Sequence, residues 1–278
     1  MIGFFDSGFG GLTVLKETLK KNAKYDYLYL GDSARSPYGT RSEELIYEYT
    51  REAVDFLMRQ GCQLVIIACS SASARALRKI QQNWLPQNYP DRKVLGVIIP
   101  VAEATVETKN SQIPRKKEKK NKVGIIGTRA TINSGTYEKE LKKLDPGLEI
   151  YSQTAPLLVP LAEEGWLRRP ETKKILKYYL RPLKEKRVDF LILGCTHYPV
   201  LASRISEVMG PQCRIIIPGE EVAKKLTEYL DKHPEIEKKL SANKKRTFYT
   251  TDDPQKFQQL GPRFLGENIS RVEKISLN

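Results

Sequence analysis

The chain has 278 residues, 40% of them hydrophobic, which is enough apolar material for two compact lobes rather than one. Its formal net charge of +14 favours an acidic partner such as nucleic acid or an anionic substrate, but the excess lies in short lysine-rich stretches without a nucleic-acid-binding motif. No apolar run reaches the roughly 20 residues of a membrane span, the N-terminus lacks a signal-peptide pattern, and the scattered cysteines and two histidines form no zinc motif. We therefore expect a cytoplasmic protein with reduced thiols, no membrane association and no metal.

Short β-rich runs alternate with helical patterns along the whole chain, which predicts an α/β fold with mostly parallel sheets. The order strand, helix, strand, helix, strand occurs in each half, and this repeat indicates two similar lobes, each with a mostly parallel sheet flanked by helices. We expect a discontinuous first lobe of residues 1–99 and 212–278, a second lobe of residues 100–211, and a lysine-rich surface insertion at 109–122. In chain order, the predicted strands cover residues 2–5, 27–30, 64–68, 94–98, 123–126, 149–152 and 189–193, with one more near 215, and the predicted helices cover 12–20, 42–60, 72–83, 137–143 and 171–185.

In each half, one predicted strand is followed by a small residue, a cysteine and a hydroxyl residue. The first segment reads IIACSS and contains Cys69, and the second reads LILGCTH and contains Cys195. Open α/β sheets bind ligands at the carboxyl ends of their strands, and the N-terminal amides of a following helix favour a thiolate. A lone cysteine in this position is more often core packing, but two in matching positions of a repeat favour a functional role. Cys62 and Cys213 lack this context and are interpreted as structural.

The segment FDSGFGG also follows a predicted strand and precedes a predicted helix. Asp6 and Ser7 stand at the end of the strand, where they could hold an ammonium and a carboxylate respectively. The glycines behind them permit close approach of the backbone to an anionic ligand. The alternative interpretation is a tight turn in which Asp6 acts as a cap.

Two further segments carry candidate polar contacts. In GDSARSPYGTRS, Asp32 and Ser33 follow a strand, and the turn at Tyr38 and Gly39 could bind a second carboxylate through its backbone N–H groups. In PLLVPLAEEGW, Glu163 is a candidate contact, although the same pattern is typical of a solvated helix face.

Together these motifs resemble those of glutamate racemases in the aspartate/glutamate racemase family, along nearly the whole chain. The matching segments are DSGFGGLTVL, YLGDSARSPYG, VIIACSSASA, VGIIGTRATINSGTYEKEL, PLLVPLAEEGW, LILGCTHYPVL and FYTTDDPQKFQQLGPRFLG. The resemblance implies an active site in the cleft between two α/β lobes, and interconversion of L- and D-glutamate without pyridoxal phosphate or another cofactor. It also implies a homodimer in a bacterial cytoplasm that supplies D-glutamate for peptidoglycan.

The resemblance assigns roles to individual residues. Cys69 and Cys195 match the two catalytic cysteines, one on each face of Cα, with Cys69 acting on D-glutamate and Cys195 on L-glutamate. Glu163 and Thr131 match neighbours of the site. The residues that match substrate-binding or thiol-tuning positions are Asp6, Ser7, Asp32, Ser33, Tyr38, Gly39, Ser70, Ser71, Thr131, Thr196 and His197.

The sequence departs from the family pattern immediately after Cys69. The family usually reads A-C-N-T, whereas Ser70 and Ser71 stand here, so the N–H donors of an asparagine are lost and one hydroxyl is kept. This change leaves open an aspartate racemase, which would use the same two-cysteine chemistry. A second alternative is a racemase-scaffold protein with a regulatory role, whose basic surface binds nucleic acid or a DNA-handling enzyme such as gyrase.

Overall fold

A computed structural model of the chain describes residues 1–111 and 121–277. Within these ranges, ten strands form two sheets in which every pairing is parallel, and helices cover both sheets, so the predicted α/β class is confirmed. The first sheet has the order β10-β9-β2-β1-β3-β4, and the second has the order β6-β5-β7-β8 when the strands are numbered along the chain. The strands are β1 Ile2–Asp6, β2 Tyr27–Gly31, β3 Leu64–Ile67, β4 Lys93–Gly96, β5 Lys122–Gly127, β6 Glu149–Thr154, β7 Phe190–Gly194, β8 Arg214–Ile216, β9 Arg246–Thr250 and β10 Glu273–Lys274.

The central strands are apolar on both faces because helices cover both. All five residues of β1 are buried. Phe4 packs on one face with Leu12, and Phe5 packs on the other face with Ile46 and Leu57. Continuous apolar runs of this kind are typical of parallel sheets buried on both sides.

Local sequence features explain where the helices begin. The helix Glu43–Arg59 begins after Ser42, whose Oγ accepts from the Leu45 amide at 3.4 Å, and two glutamates occupy its first turn. None of the helices within the described ranges is both long enough and apolar enough to cross a membrane. The helices are α1 Leu12–Asn22, α2 Glu43–Arg59, α3 Ser70–Arg75, α4 Leu77–Lys79, α5 Leu85–Asn88, α6 Ile98–Ser111, α7 Arg129–Asn133, α8 Thr136–Leu144, α9 Leu158–Glu163, α10 Pro170–Glu185, α11 Ala202–Met209, α12 Pro218–Lys232, α13 Pro234–Glu237 and α14 Pro254–Leu265.

Two predicted segments differ from the structure. The helix predicted over residues 72–83 begins at Ser70 and is divided into α3, α4 and a π-helical turn at Ile80–Trp84. The insertion predicted at 109–122 is wrong at both ends, because α6 extends to Ser111 and β5 begins at Lys122. Lys109 lies in the last turn of α6, where a positive charge is favourable, and pairs with Asp145. Residues 112–120 of the predicted insertion lie outside the described residues.

The return of the chain to the first lobe occurs later than we expected. Residues 214–216 were expected in the first lobe, but they form β8, which pairs with β7 in the second sheet. The strand joins the second sheet because the apolar side chain of Ile216 is buried there beside Val123 and Ile192. Helix α12 then packs against α1, and β9 pairs with β2, which places the remaining tail on the first sheet.

The carboxyl ends of the two sheets face each other, and polar contacts join the lobes there. Thr136 Oγ1 donates to the carbonyl of Ala74 at 3.1 Å, and Arg75 Nε donates to the carbonyl of Ala130 at 3.1 Å. Helix α3 of the first lobe is therefore attached to α7 and α8 of the second. This arrangement brings the residues after β1, β3, β5 and β7 to one place.

Candidate active site

A small cavity lies between the carboxyl ends of the two sheets. Its volume is about 20 Å³, close to the space that one water molecule needs. Both strand-end cysteines line it, although they are more than a hundred residues apart in the sequence. The lining residues are Ser7, Ser36, Pro37, Tyr38, Gly39, Cys69, Ser70, Ser71, Thr128, Val159, Cys195, Thr196 and His197.

Cys69 is the residue between β3 and α3, and its thiol is buried. Its Sγ lies 3.4 Å from the Oγ of Ser7. Burial, together with the nearby carboxylate of Asp6, raises the pKa of Cys69 to about 12. Our expectation that the helix amides favour a thiolate here is therefore wrong for this cysteine, because removal from water outweighs their effect. Cys69 is a thiol at neutral pH.

Cys195 follows β7 and has a different neighbour. Its Sγ lies 3.9 Å from Nδ1 of His197, whose Nε2 lies 2.9 Å from Oε1 of Glu163. Burial disfavours the charged imidazole, but the hydrogen bonds to Cys195 and Glu163 outweigh this effect and raise the pKa of His197 to about 10. An imidazolium therefore stands beside this sulfur at neutral pH. The other two cysteines, Cys62 and Cys213, are buried in apolar clusters.

Asp6 does not line the cavity, although we expected it to hold an ammonium group. The residue is fully buried, and its Oδ2 accepts from the amide of Gly8 at 2.9 Å. Its Oδ1 accepts from Thr196 Oγ1 at 3.2 Å, so the carboxyl group links the two lobes. Burial raises the pKa of Asp6 above its usual value, while the charge of nearby His197 opposes that rise.

Gly10 and Gly11 of the FDSGFGG segment permit close contact between protein groups, not contact with an anion. A Cβ at Gly10 would lie 2.3 Å from Thr196 Oγ1 and 2.5 Å from His197 Nδ1, and a Cβ at Gly11 would lie 2.5 Å from the Cβ of Asp6. These distances are too short for any side chain. Gly10 therefore allows the first lobe to approach the segment Gly194–His197 of the second, and Gly11 allows close packing within the first lobe against Asp6.

The segment after β2 supplies some of the expected contacts but not all of them. Tyr38 and Gly39 line the cavity, whereas Asp32 and Ser33 do not. The carboxylate of Asp32 is instead occupied by hydrogen bonds from Tyr38, Arg35 Nε at 2.7 Å and Thr251 Oγ1 at 2.8 Å. Ser33 Oγ accepts from Thr250 Oγ1 at 3.4 Å. Asp32 therefore holds the loop that carries Tyr38.

Hydroxyl groups line the side of the cavity formed by α3 and α7. Ser71 Oγ lies 2.9 Å from Thr128 Oγ1 and 3.4 Å from Thr131 Oγ1. Thr131 thus supports the lining from behind rather than contacting the cavity. Neither Ser70 nor Ser71 caps α3, because both lie in its first turn and Cys69 occupies the capping position.

Four lining residues were not selected from the sequence. Ser36, Pro37, Thr128 and Val159 all border the cavity. Thr128 could have been found, because it follows β5 and caps α7 by accepting from the Thr131 amide at 3.2 Å. Ser36, Pro37 and Val159 carry no local pattern that indicates a site.

Comparisons with known proteins agree with this geometry. The family model of the Asp/Glu/Hydantoin racemases matches residues 12–226. A glutamate racemase from Geobacter metallireducens is 39% identical over 276 residues, with 99% of this chain and 96% of the relative covered. The structure of glutamate racemase isoform RacE1 from Bacillus anthracis has a TM-score of 0.87 and 36% identity, with 100% of this chain and 97% of that chain covered. A Francisella tularensis glutamate racemase in complex with D-glutamate has a TM-score of 0.86 and 33% identity, with the same coverage.

These matches extend over both lobes and include the segments on each side of the cavity. The resemblance found in the sequence motifs is thereby confirmed, and with it the enzyme class, an amino-acid racemase. The chain belongs to the Asp/Glu/Hydantoin racemase family, in which its sequence motifs, fold and overall identity place it with the glutamate racemases.

Proposed function

We propose that this chain interconverts L- and D-glutamate by moving a proton on and off Cα with Cys69 and Cys195, without a cofactor. The observation that supports the proposal is the pair of strand-end thiols, one from each lobe, on a single cavity. Inversion at Cα needs a base on one face of the carbon and an acid on the other. Two cysteines from facing lobes meet that requirement with one residue type.

The surroundings of the two sulfurs define their starting roles. Cys195 stands beside the imidazolium of His197 and acts as the base, which removes the proton from L-glutamate. Cys69, with a pKa of about 12, starts as the thiol and donates its proton to the opposite face of the carbanion. The product is D-glutamate, and the enzyme is left with Cys195 protonated and Cys69 deprotonated. D-Glutamate reacts with that second form along the reverse path.

The lobes must separate before glutamate can enter. Pockets for small ligands are usually about 300 Å³ or larger, whereas this cavity has a volume of about 20 Å³. The contacts that join the lobes beside the cavity are single hydrogen bonds between side chains or from a side chain to a carbonyl, such as Ser71 to Thr128. Each such hydrogen bond contributes only about 0.5–1.5 kcal/mol net to stability, because water replaces it when the lobes separate.

Circular dichroism of glutamate solutions tests the proposal directly. The wild-type protein should racemise either enantiomer, and Cys69→Ala or Cys195→Ala should abolish racemisation because inversion needs both groups. Cys62→Ala and Cys213→Ala are matched controls that should retain activity. In heavy water, deuterium should enter Cα of the product during initial turnover. Substantial racemisation by either single catalytic-cysteine variant, prepared from a host without its own racemase, would overturn the mechanism.

The same assay separates glutamate from aspartate as substrate. L- and D-aspartate should be turned over far more slowly than glutamate, and the reverse order would establish an aspartate racemase. We also propose that the protein acts as a homodimer in a bacterial cytoplasm and supplies D-glutamate for peptidoglycan, which the family membership supports. Light scattering after size exclusion tests the dimer, and rescue of a D-glutamate-requiring strain tests the biosynthetic role.

A further inference from the structure

Two buried hydroxyl groups beside the cavity have no hydrogen-bond partner within the described part of the chain. Among the described residues, the Oγ of Ser70 and the hydroxyl of Tyr137 belong to the very few buried side-chain polar atoms without a hydrogen bond. Ser70 is 2% exposed and Tyr137 is 3% exposed. Their two helices meet here, because Thr136 Oγ1, next to Tyr137, donates at 3.1 Å to the carbonyl of Ala74, one turn after Ser70, and Ser70 is the side chain that acts on the Tyr137 phenol. An unpaired buried hydroxyl destabilises the folded protein, so a phenylalanine at 137 would give a more stable protein if the residue only filled space.

The position of this pair connects it with the reacting groups. Ser70 belongs to the first lobe, lines the cavity and directly follows Cys69. Tyr137 belongs to α8 of the second lobe, and its ring lies over Gly194, where an added Cβ would be 3.3 Å from Tyr137 Cε2. Gly194 directly precedes Cys195. The hydroxyl pair therefore spans the cleft next to both cysteines.

We propose that Tyr137 is a positioning residue for the substrate α-carboxylate, and that it acts through Ser70. Once the carboxylate is bound and accepts the Ser70 O–H, the Tyr137 O–H, which is unpaired in the free protein, is donated to Ser70 Oγ. This inference rests on the proposed function, because it places the substrate Cα between Cys69 and Cys195. The α-carboxylate is one bond from that carbon, and the pair is adjacent to both cysteines.

The chemistry of the pair matches a carboxylate better than an ammonium group. A serine hydroxyl has one hydrogen and two acceptor sites, so a donor behind it leaves its own hydrogen free for an anion. Burial raises the pKa of Tyr137, so the phenol stays protonated and remains a donor throughout the working pH range. Two hydroxyls in sequence also polarise each other, which strengthens the terminal bond.

A double-mutant cycle on Tyr137 and Ser70 tests the proposal. Tyr137→Phe should raise KM for glutamate roughly tenfold, the effect expected for losing support to one charged hydrogen bond, and should lower kcat less than threefold. Ser70→Ala should raise KM at least as much. The double variant should match Ser70→Ala alone, because Tyr137 acts only through Ser70.

Thermal denaturation separates positioning from a structural role. Tyr137→Phe should leave Tm unchanged or higher, since it removes an unpaired buried hydroxyl. The matched control is Tyr27→Phe in the first lobe, which removes a hydrogen bond of 2.8 Å to the Asn22 carbonyl and should lower Tm without changing KM. An unchanged KM in Tyr137→Phe, or KM effects that multiply in the double variant, would overturn the proposal.

Calorimetric titration with D-glutamate, with Cys195→Ala added to each protein so that the titrant is not racemised, makes the comparison independent of turnover. Wild-type protein that binds D-glutamate without racemising it would contradict the two-cysteine function, while the Kd values of the four proteins would still decide the role of Tyr137. The Kd should rise roughly tenfold in Tyr137→Phe and no further in the double variant than in Ser70→Ala. Equal Kd values in wild type and Tyr137→Phe would refute the proposed role.

Discussion

Substitution of Gly10 by alanine is the sharpest test of how the two lobes meet. The new Cβ would lie 2.3 Å from Thr196 Oγ1 and 2.5 Å from His197 Nδ1, whereas ordinary van der Waals contact begins near 3.4 Å. The GCTH segment must therefore retreat by about 1 Å, and it carries both the hydroxyl that binds Asp6 and the imidazole beside Cys195. Misplacement of a catalytic group by about 1 Å can cost on the order of 100-fold in rate.

The expected result for Gly10→Ala is a fall of about 100-fold in kcat/KM and a loss of about 1–3 kcal/mol in the free energy of unfolding, the usual cost of overpacking. Initial rates by circular dichroism and urea denaturation measure the two quantities. Gly8→Ala is the matched control in the same loop, because its Cβ would lie 3.6 Å from Ser36 Oγ and should change both quantities little. Retention of activity within a few-fold by Gly10→Ala, with unchanged stability, would refute the reasoning.

Three further predictions follow from charged groups. Glu163→Gln removes the carboxylate 2.9 Å from Nε2 of His197, so the pH at which kcat/KM falls on the alkaline side, where the imidazolium loses its proton, should decrease by about one to two pH units. A rate profile from about pH 7 to 11 in which this midpoint is unchanged would contradict the coupling between Glu163 and His197. Burial opposes ionisation of Asp26, but the hydrogen bonds to its carboxylate outweigh burial and lower its pKa to about 2. The Asp26→Asn variant should therefore lose about 1–2 kcal/mol of stability above roughly pH 4, and its melting temperature should approach that of wild type as the pH falls towards 2. Arg35→Met leaves the fully buried Asp32 without its 2.7 Å cation, which should cost about 3–5 kcal/mol in urea denaturation, and unchanged stability would show that the pair is dispensable.

The strand-end cysteines could be identified from the sequence because their signal is local. Five or so consecutive apolar residues before Cys69 and Cys195 predict buried strands, and a polar switch after a buried strand marks its carboxyl end. The same reasoning led to Ser7, the turn pattern led to Tyr38, and the family resemblance assigned Thr196; all three line the cavity. The family motifs added His197, whose role depends on a neighbour only two residues away.

The features that sequence reasoning missed depend on contacts between distant segments. The pKa of Cys69 follows from complete burial and from Asp6 on another strand, neither of which its own helix reveals. Gly10 faces Thr196, more than 180 residues further along the chain, so its glycine pattern was interpreted as space for a ligand. Strand β8 has three residues, too few for a periodic pattern to specify which sheet they join.

The unequal surroundings of the two sulfurs have a kinetic consequence under the proposed mechanism. L- and D-glutamate are mirror images, so their equilibrium constant is one and kcat/KM must be equal in both directions for the wild type and for every variant. The protein itself is not symmetric: His197 stabilises the form with negative charge on Cys195, while burial disfavours that charge on Cys69. Each conversion of L-glutamate therefore leaves the free enzyme in its less stable protonation state, and protons must exchange before it can accept another L-glutamate. At saturating substrate, this return step sets a ceiling on kcat that no improvement in the chemical step can raise.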